Sequence, residues 1–264
     1  MGSDPGYVCL RCKGEVRPID GRPFTSVTVD GEVLEAVPTF CYLGDMLSAG
    51  GGCDWAIKTR CRAAWNKFNK LLPVLTTKHL SLKTRGRVFA TCVRPVMLYG
   101  SETWAPTCAD LQRLRRNDRS MIRWIAGVRP SDDVSSTTLH DRLGIREVSE
   151  VLRIGRLRWY GHVERAKVTT TDSEPVPWIH RVTKVPVHRT KGRGRPRKTW
   201  LSCVREDCKE LDMGKINPLD RESWRACLRR QTAAKPASAP PLRGNTRVEG
   251  PVTRSVSRTL SHLP

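Results

Sequence analysis

The sequence predicts a mainly α-helical chain: a helical bundle preceded by a small antiparallel β segment and followed by a disordered C-terminal tail. Three observations predict it. Apolar residues alternate on both sides of Asp30-Gly31, a dipeptide that tolerates the positive φ of a tight hairpin turn. From Asp54 onward the apolar spacing becomes i, i+3, i+4, which is one face of a helix. From Gln231 the composition turns to Ala, Pro, Ser and Arg, with too few large apolar side chains to offset the entropy of ordering.

In order, SVTVDGEVLEAV reads as two strands and FCYLGDML as a third short apolar run, before Gly50-Gly51-Gly52 breaks the chain. Asp54 caps a first helix with Ile57, Cys61, Ala64, Trp65, Phe68, Leu71 and Leu72 on one face, and Pro73 helps end it. Ser81 opens a second, carrying Val88, Phe89, Cys92, Val93, Val96 and Met97 and kinked at Pro95. Thr107 caps a third, with Leu111, Leu114, Met121, Ile122 and Ile125, closed by Gly127. A short helix spans Thr137–Leu143 and stops at Gly144. A fifth runs from Arg146 to Arg165 with Val148, Val151, Leu152, Trp159 and Val163 inward. Prolines and consecutive threonines over 169–190 read as a linker. Pro196 then starts a helix through Leu211, with Trp200, Val204 and Cys208, and a last helix covers Leu219–Arg230, with Trp224 and Leu228. The resulting organisation is an N-terminal segment at 1–52, a basic helical region at 53–166, a linker at 167–195, C-terminal helices at 196–230 and a tail at 231–264.

The formal net charge is +21, which points to a polyanionic partner, nucleic acid before membrane. No apolar run is long enough to span a bilayer, and the first residues, MGSDPGYVCL, do not form a secretion signal, so a nuclear or cytoplasmic location is expected. The charge is uneven. Residues 1–52 hold 4 Lys/Arg against 7 Asp/Glu, whereas residues 53–166 hold 22 against 10. Positive charge therefore begins where the helical pattern begins. The ten cysteines are read as reduced thiols, with Cys61, Cys92, Cys208 and Cys227 at core positions of helices.

Several motifs carry possible chemistry. KGRGRPRKTW gathers Lys191, Arg193, Gly194, Arg195, Pro196, Arg197 and Lys198 into a nucleic-acid-binding stretch. Its centre, Arg193-Gly194-Arg195-Pro196, looks like an AT-hook core. Gly194 would let the backbone lie flat, Arg193 and Arg195 would enter a narrow A·T minor groove, and Arg197 and Lys198 would hold phosphates. A solvated basic linker or an import signal is the alternative. Cys9 and Cys12 have the spacing of two zinc ligands and form half a site. No cofactor is expected in this chain, and zinc only if further ligands lie upstream. His79, His140 and His162 are isolated and read as packed residues, and Asp132-Asp133 reads as a cap ahead of a helix rather than a magnesium site. Six of the eight tryptophans fall in predicted helices, where core packing is favoured over base stacking. No phosphate-binding glycine loop and no nucleophile–base pair is found, so no catalytic residue is expected.

A series of stretches over residues 15–230 carries a resemblance. FCYLGDMLSAGGGCDWAIKTRCRAAWNKF, HLSLKTRGRVFATCVRPVMLYGSETW, RLRRNDRSMIRWIAGV, LGIREVSEVLRIGRLRWYGHVER and GRPRKTWLSCVREDCKEL occur in this order. Together they resemble the C-terminal part of LINE-type (non-long-terminal-repeat) retrotransposon reverse transcriptases, which are RNA-directed DNA polymerases. The resemblance implies that Tyr42, Leu43 and Gly44 match the primer-grip end of the palm. It implies a thumb-like bundle after Asp54, and after Ala105 a region that grips template RNA and target DNA. The family's polymerase needs an aspartate pair that binds two Mg²⁺. No such pair precedes Phe40, and no endonuclease domain is present, so the chain is expected to be a non-catalytic fragment that binds RNA or DNA. A full-length retroelement polymerase is a further expected partner. Two alternatives stay open: a reused AT-hook-type protein reading A·T-rich minor groove, and a pseudogene product with no selected function.

Overall fold

The structure is a computed structural model that describes residues 27–34, 37–166, 198–214 and 216–232. It is mainly helical, with a small β segment ahead of the helices, as the sequence predicts. The predicted disordered tail lies outside the described residues from 233 onward.

Two antiparallel hairpins come first. In one, β1 (Val27–Val29) pairs with β2 (Glu32–Leu34) through a turn at Asp30 and Gly31, both at positive φ. FCYLGDML, read from the sequence as a single run, is instead a second hairpin. Here β3 (Thr39–Tyr42) pairs with β4 (Asp45–Ser48), setting Phe40 opposite Leu47 and Tyr42 opposite Asp45. Its turn was hidden because Leu43 takes the first left-handed position, at φ 47°, where Asn, Asp or Gly is usual.

Helix α1 (Asp54–Thr76) runs through Pro73 rather than ending there. Leu75, fully buried, holds the last turn on the core, and Thr76 Oγ1 donates to the Leu72 carbonyl. α2 (Leu82–Val88) starts at Ser81, whose side chain accepts from the Thr84 amide. The expected irregularity at Pro95 takes a definite form. Pro95 has no amide hydrogen to give to Thr91, and a π-helical turn, Phe89–Val93, precedes α3 (Arg94–Met97), with the Arg94 amide donating to the Phe89 carbonyl. α4 (Cys108–Ala126) has a reciprocal cap between Thr107 and Asp110 and stops at Gly127, φ 67°. α5 (Ser136–Leu143) and α6 (Val148–Arg165) follow. α7 (Trp200–Glu210) begins four residues later than the predicted Pro196 start, because Thr199 and Ser202 cap each other there. α8 (Arg221–Thr232) extends into the segment assigned to the tail.

Two hydrophobic cores result. The first gathers Phe68 of α1, Phe89, Met97, Leu114, Met121, Ile122 and Ile125 of α4, and Leu139 and Leu143 of α5. Phe68 is its hub, meeting Trp65, Phe89 and Trp124 in edge-to-face contacts at 5.4, 6.4 and 6.1 Å. The second joins Ile154 and Leu157 of α6 to Val204, Met213, Trp224, Cys227 and Leu228. Cys61 and Cys227 are buried as predicted, but Cys92 is exposed and Cys208 half-buried. The π turn shifts the helical phase, so Cys92 leaves the core face that an unbroken helix would give it. Burial pushes the Cys61 thiol up to about 11 and, with Asp110 beside it, the Cys53 thiol up to about 12, so both remain protonated.

Asp118 ties three elements together inside the first core. Arg94 donates to both of its oxygens, from Nε and Nη2, each at 2.9 Å, and His140 Nε2 donates to Oδ2 at 3.2 Å. Burial opposes ionisation of Asp118, but the bonds from His140 and Arg94 and their charge outweigh it and hold the carboxyl below its ordinary value. Stability from this group is therefore present above about pH 4 and is lost as pH falls through the depressed value. Asp118→Ala leaves Arg94 buried without its carboxylate and should cost about 3–5 kcal/mol in denaturant unfolding. Arg115→Ala removes a pair with Glu147 that stands partly in solvent, and should cost less than about 1 kcal/mol.

Candidate nucleic-acid interface

The second core places a cationic cleft between the C-terminal half of α6 and α8. RLRWYGHVER sets Arg158, His162 and Arg165 along one side of α6, as i, i+4, i+7 spacing requires. Arg221, Arg225 and Arg229 repeat on α8, as i, i+4, i+8. Gly161 explains how the two rows come close. The Trp224 indole lies against the α6 backbone there and donates Nε1 to the Leu157 carbonyl at 3.0 Å. A Cβ on residue 161 would stand 2.6 Å from that nitrogen, so only glycine admits the ring. Asp220 caps α8 by accepting from the Glu222 and Ser223 amides.

The cleft encloses about 690 Å³, floored by Trp224 and Leu228 and lined by five arginines and His162, with no carboxylate among the described residues that line it. Arg165 also donates to the Pro218 carbonyl at 2.7 Å. Partial burial, and then the charges of Arg221 and Arg225, pull the Arg165 guanidinium below its ordinary value. Like charges gathered along one cleft favour an anion that bridges them, and guanidinium groups fit phosphate oxygens in pairs.

The residues singled out in the sequence fall elsewhere. Lys191, Arg193, Gly194, Arg195, Pro196 and Arg197 lie outside the described residues, as do Cys9 and Cys12. Lys198 is described, and its ammonium pairs with Glu206. Tyr42, Leu43 and Gly44 form the tip of the second hairpin. Arg60 donates to the Gly44 carbonyl and stacks 4.0 Å over the Tyr99 ring, while the Tyr99 hydroxyl donates to the Leu43 carbonyl at 3.2 Å. Phe40, Tyr42, Leu43 and Leu47 are nonetheless all more than half exposed. Asp132 accepts from the Arg129 amide at 2.7 Å and closes the turn at 130–132, and Asp133 is exposed; the cap of α5 expected of this pair is instead Ser135, whose side chain accepts from the Thr138 amide. Among the described residues no group of three His, Cys, Asp or Glu could hold a metal ion, and no helix is long and apolar enough to cross a membrane.

The chain is 30% identical over 217 residues, 75% of its length and 73% of the other, to an uncharacterized transposon-derived protein of Caenorhabditis elegans. It belongs to this transposon-derived family. No family model matches the chain, and no solved structure matches it. The cationic cleft of this transposon-derived protein was not legible from charge counting, because it needs Arg165 and Arg221 brought together by a tryptophan and a glycine far apart in sequence. The repeating arginines of α8 were the available signal. Gly161→Ala should force Trp224 off α6, lowering stability by about 1–3 kcal/mol in thermal or urea melts and red-shifting tryptophan emission.

Proposed function

We propose that this transposon-derived chain is a non-catalytic remnant of a LINE-type RNA-directed DNA polymerase that binds nucleic acid through its cationic helices. The observation that carries the proposal is the α6–α8 cleft, where five arginines from two helices line one space. Phosphate oxygens are the ligands that such a lining fits. The apolar side chains left exposed on the β3–β4 hairpin support the polymerase origin, since in that family the matching YLG segment lies at the primer-grip end of the palm, against the rest of that domain. The chain's one adjacent aspartate pair, Asp132-Asp133, closes a surface turn, which supports binding without nucleotidyl transfer. Primer-extension assays with Mg²⁺ should accordingly yield no product.

Binding should weaken steeply with salt, because each arginine–phosphate contact releases a counterion. The paired substitution Arg221→Ala and Arg225→Ala should lower affinity for RNA or DNA and reduce the slope of log K against log salt by about 1–2. Affinity that barely changes between low and physiological salt would overturn the proposal. A preference for A·T over G·C duplex, abolished by Arg195→Ala, would move the activity to the basic stretch before α7 instead.

A further inference from the structure

Helices α1 and α4 present a second cationic surface, remote in sequence from α8 and lined by different residues. The acidic residues of α4 are Asp110 and Asp118, and both are buried. The one acidic residue of α1, Asp54, pairs with Lys58 in the first turn. What α4 shows to solvent is therefore Arg113, Arg116 and Arg119, and the neighbouring α1 adds Arg62, Lys67 and Lys70. Arg115 is drawn aside by Glu147 and Ser149, and Arg123 donates to the Val134 carbonyl.

Within this basic surface one large ring stands out of the core. Trp124 is 53% exposed, although a helical tryptophan beside an apolar run is expected to pack inward. It is held by its edge-to-face contact with Phe68, the hub of the first core, so it is fixed rather than loose. Along α4, Arg113, Asn117, Ser120 and Trp124 recur at i, i+4, i+7 and i+11 and share a face. The two polar side chains of that row are engaged locally. Asn117 accepts from Trp65 Nε1 at 2.8 Å and donates to the Arg113 carbonyl, and Ser120 donates to the Arg116 carbonyl. The row is thus left with positive charge and one exposed aromatic ring.

We propose that this face binds single-stranded nucleic acid, with an unpaired base stacked on Trp124 and the backbone held by Arg113, Arg116 and Arg62. An indole offers its π-face to any base, and surrounding guanidinium groups supply the phosphate contacts that bring a strand to it. Charge complementarity selects the occupant: an apolar protein partner gains nothing from a ring set among unpaired cations, whereas a strand of bases and phosphates uses both. The proposal rests on the reading of the chain as a nucleic-acid binder and adds to it a site that distinguishes exposed bases from backbone alone.

The test compares a short single-stranded oligonucleotide with an abasic oligomer of the same length and charge, bound to the full chain at fixed salt. The intact chain should bind the base-bearing strand about tenfold more tightly. Trp124→Leu should erase that difference while leaving affinity for the abasic oligomer, and its salt slope, unchanged. Trp124→Tyr should restore much of the difference, which a general loss of packing beside Phe68 would not allow. Thermal melts of both variants identify any unfolding. Equal binding of the two oligomers by the intact chain, or a base preference that survives Trp124→Leu, overturns the stacking site while leaving the cleft reading intact. Failure to bind either oligomer at low salt defeats the nucleic-acid reading as a whole.

Discussion

The first core depends on a carboxylate. Asp118 sits on the inner face of α4, where an apolar residue is expected, and is clasped by Arg94 and His140. The arrangement follows from a covalent fact one residue away. Pro95 lacks an amide hydrogen, the helix ahead of it widens into a π turn, and the next residue, Arg94, is carried inward rather than into solvent. An arginine so placed needs an anion, since a lone buried charge would cost several kcal/mol. α4 supplies the anion, α5 supplies a second donor to it, and the three helices are set in one register.

The same economy recurs through the molecule. A chain of net charge +21 repels itself, and three of its acids relieve that repulsion from buried positions. Asp110 closes the start of α4, Asp118 lies in the core, and Asp207 faces Arg156 beneath α7. The cost shows at Asp207. Its Oδ2 stands 3.4 Å from Arg156 without an aligned donor, and burial pushes the carboxyl up to about 6 against the pull of Arg156 and Arg153. The contact distance alone would place this carboxyl low, but the missing hydrogen bond leaves desolvation in control. Asp110 and Asp118, drawn inward, leave the solvent face of α4 basic.

Much of this fold was legible in the residues. Thr107 and Gly127 bracket α4 as caps should, Ser81 opens α2, and Gly144 ends α5. What escaped reading turns on contacts between distant residues or on departures from turn chemistry. Leu43 hides a hairpin because a leucine occupies the left-handed position, and Pro73 does not stop α1 because Leu75 is pulled into the core. The candidate cleft was illegible for the first of these reasons. RLRWYGHV stands out as a string, but the purpose of Gly161 is visible only with Trp224 resting on it. Trp124 was grouped with the core tryptophans because periodicity assigns a face, not the presence of a neighbour to cover it.

Helix α6 turns Leu152 into the first core and Ile154 and Leu157 into the second. Across the same helix, the Trp200 indole of α7 reaches the Glu102 carbonyl with a 2.7 Å hydrogen bond. Neither core has a surface of its own at which it could come apart without disturbing the other. The described helices should therefore open together in hydrogen exchange, with α6 among the best-protected segments. A lesion on the buried face of α6 would therefore reach both cores at once.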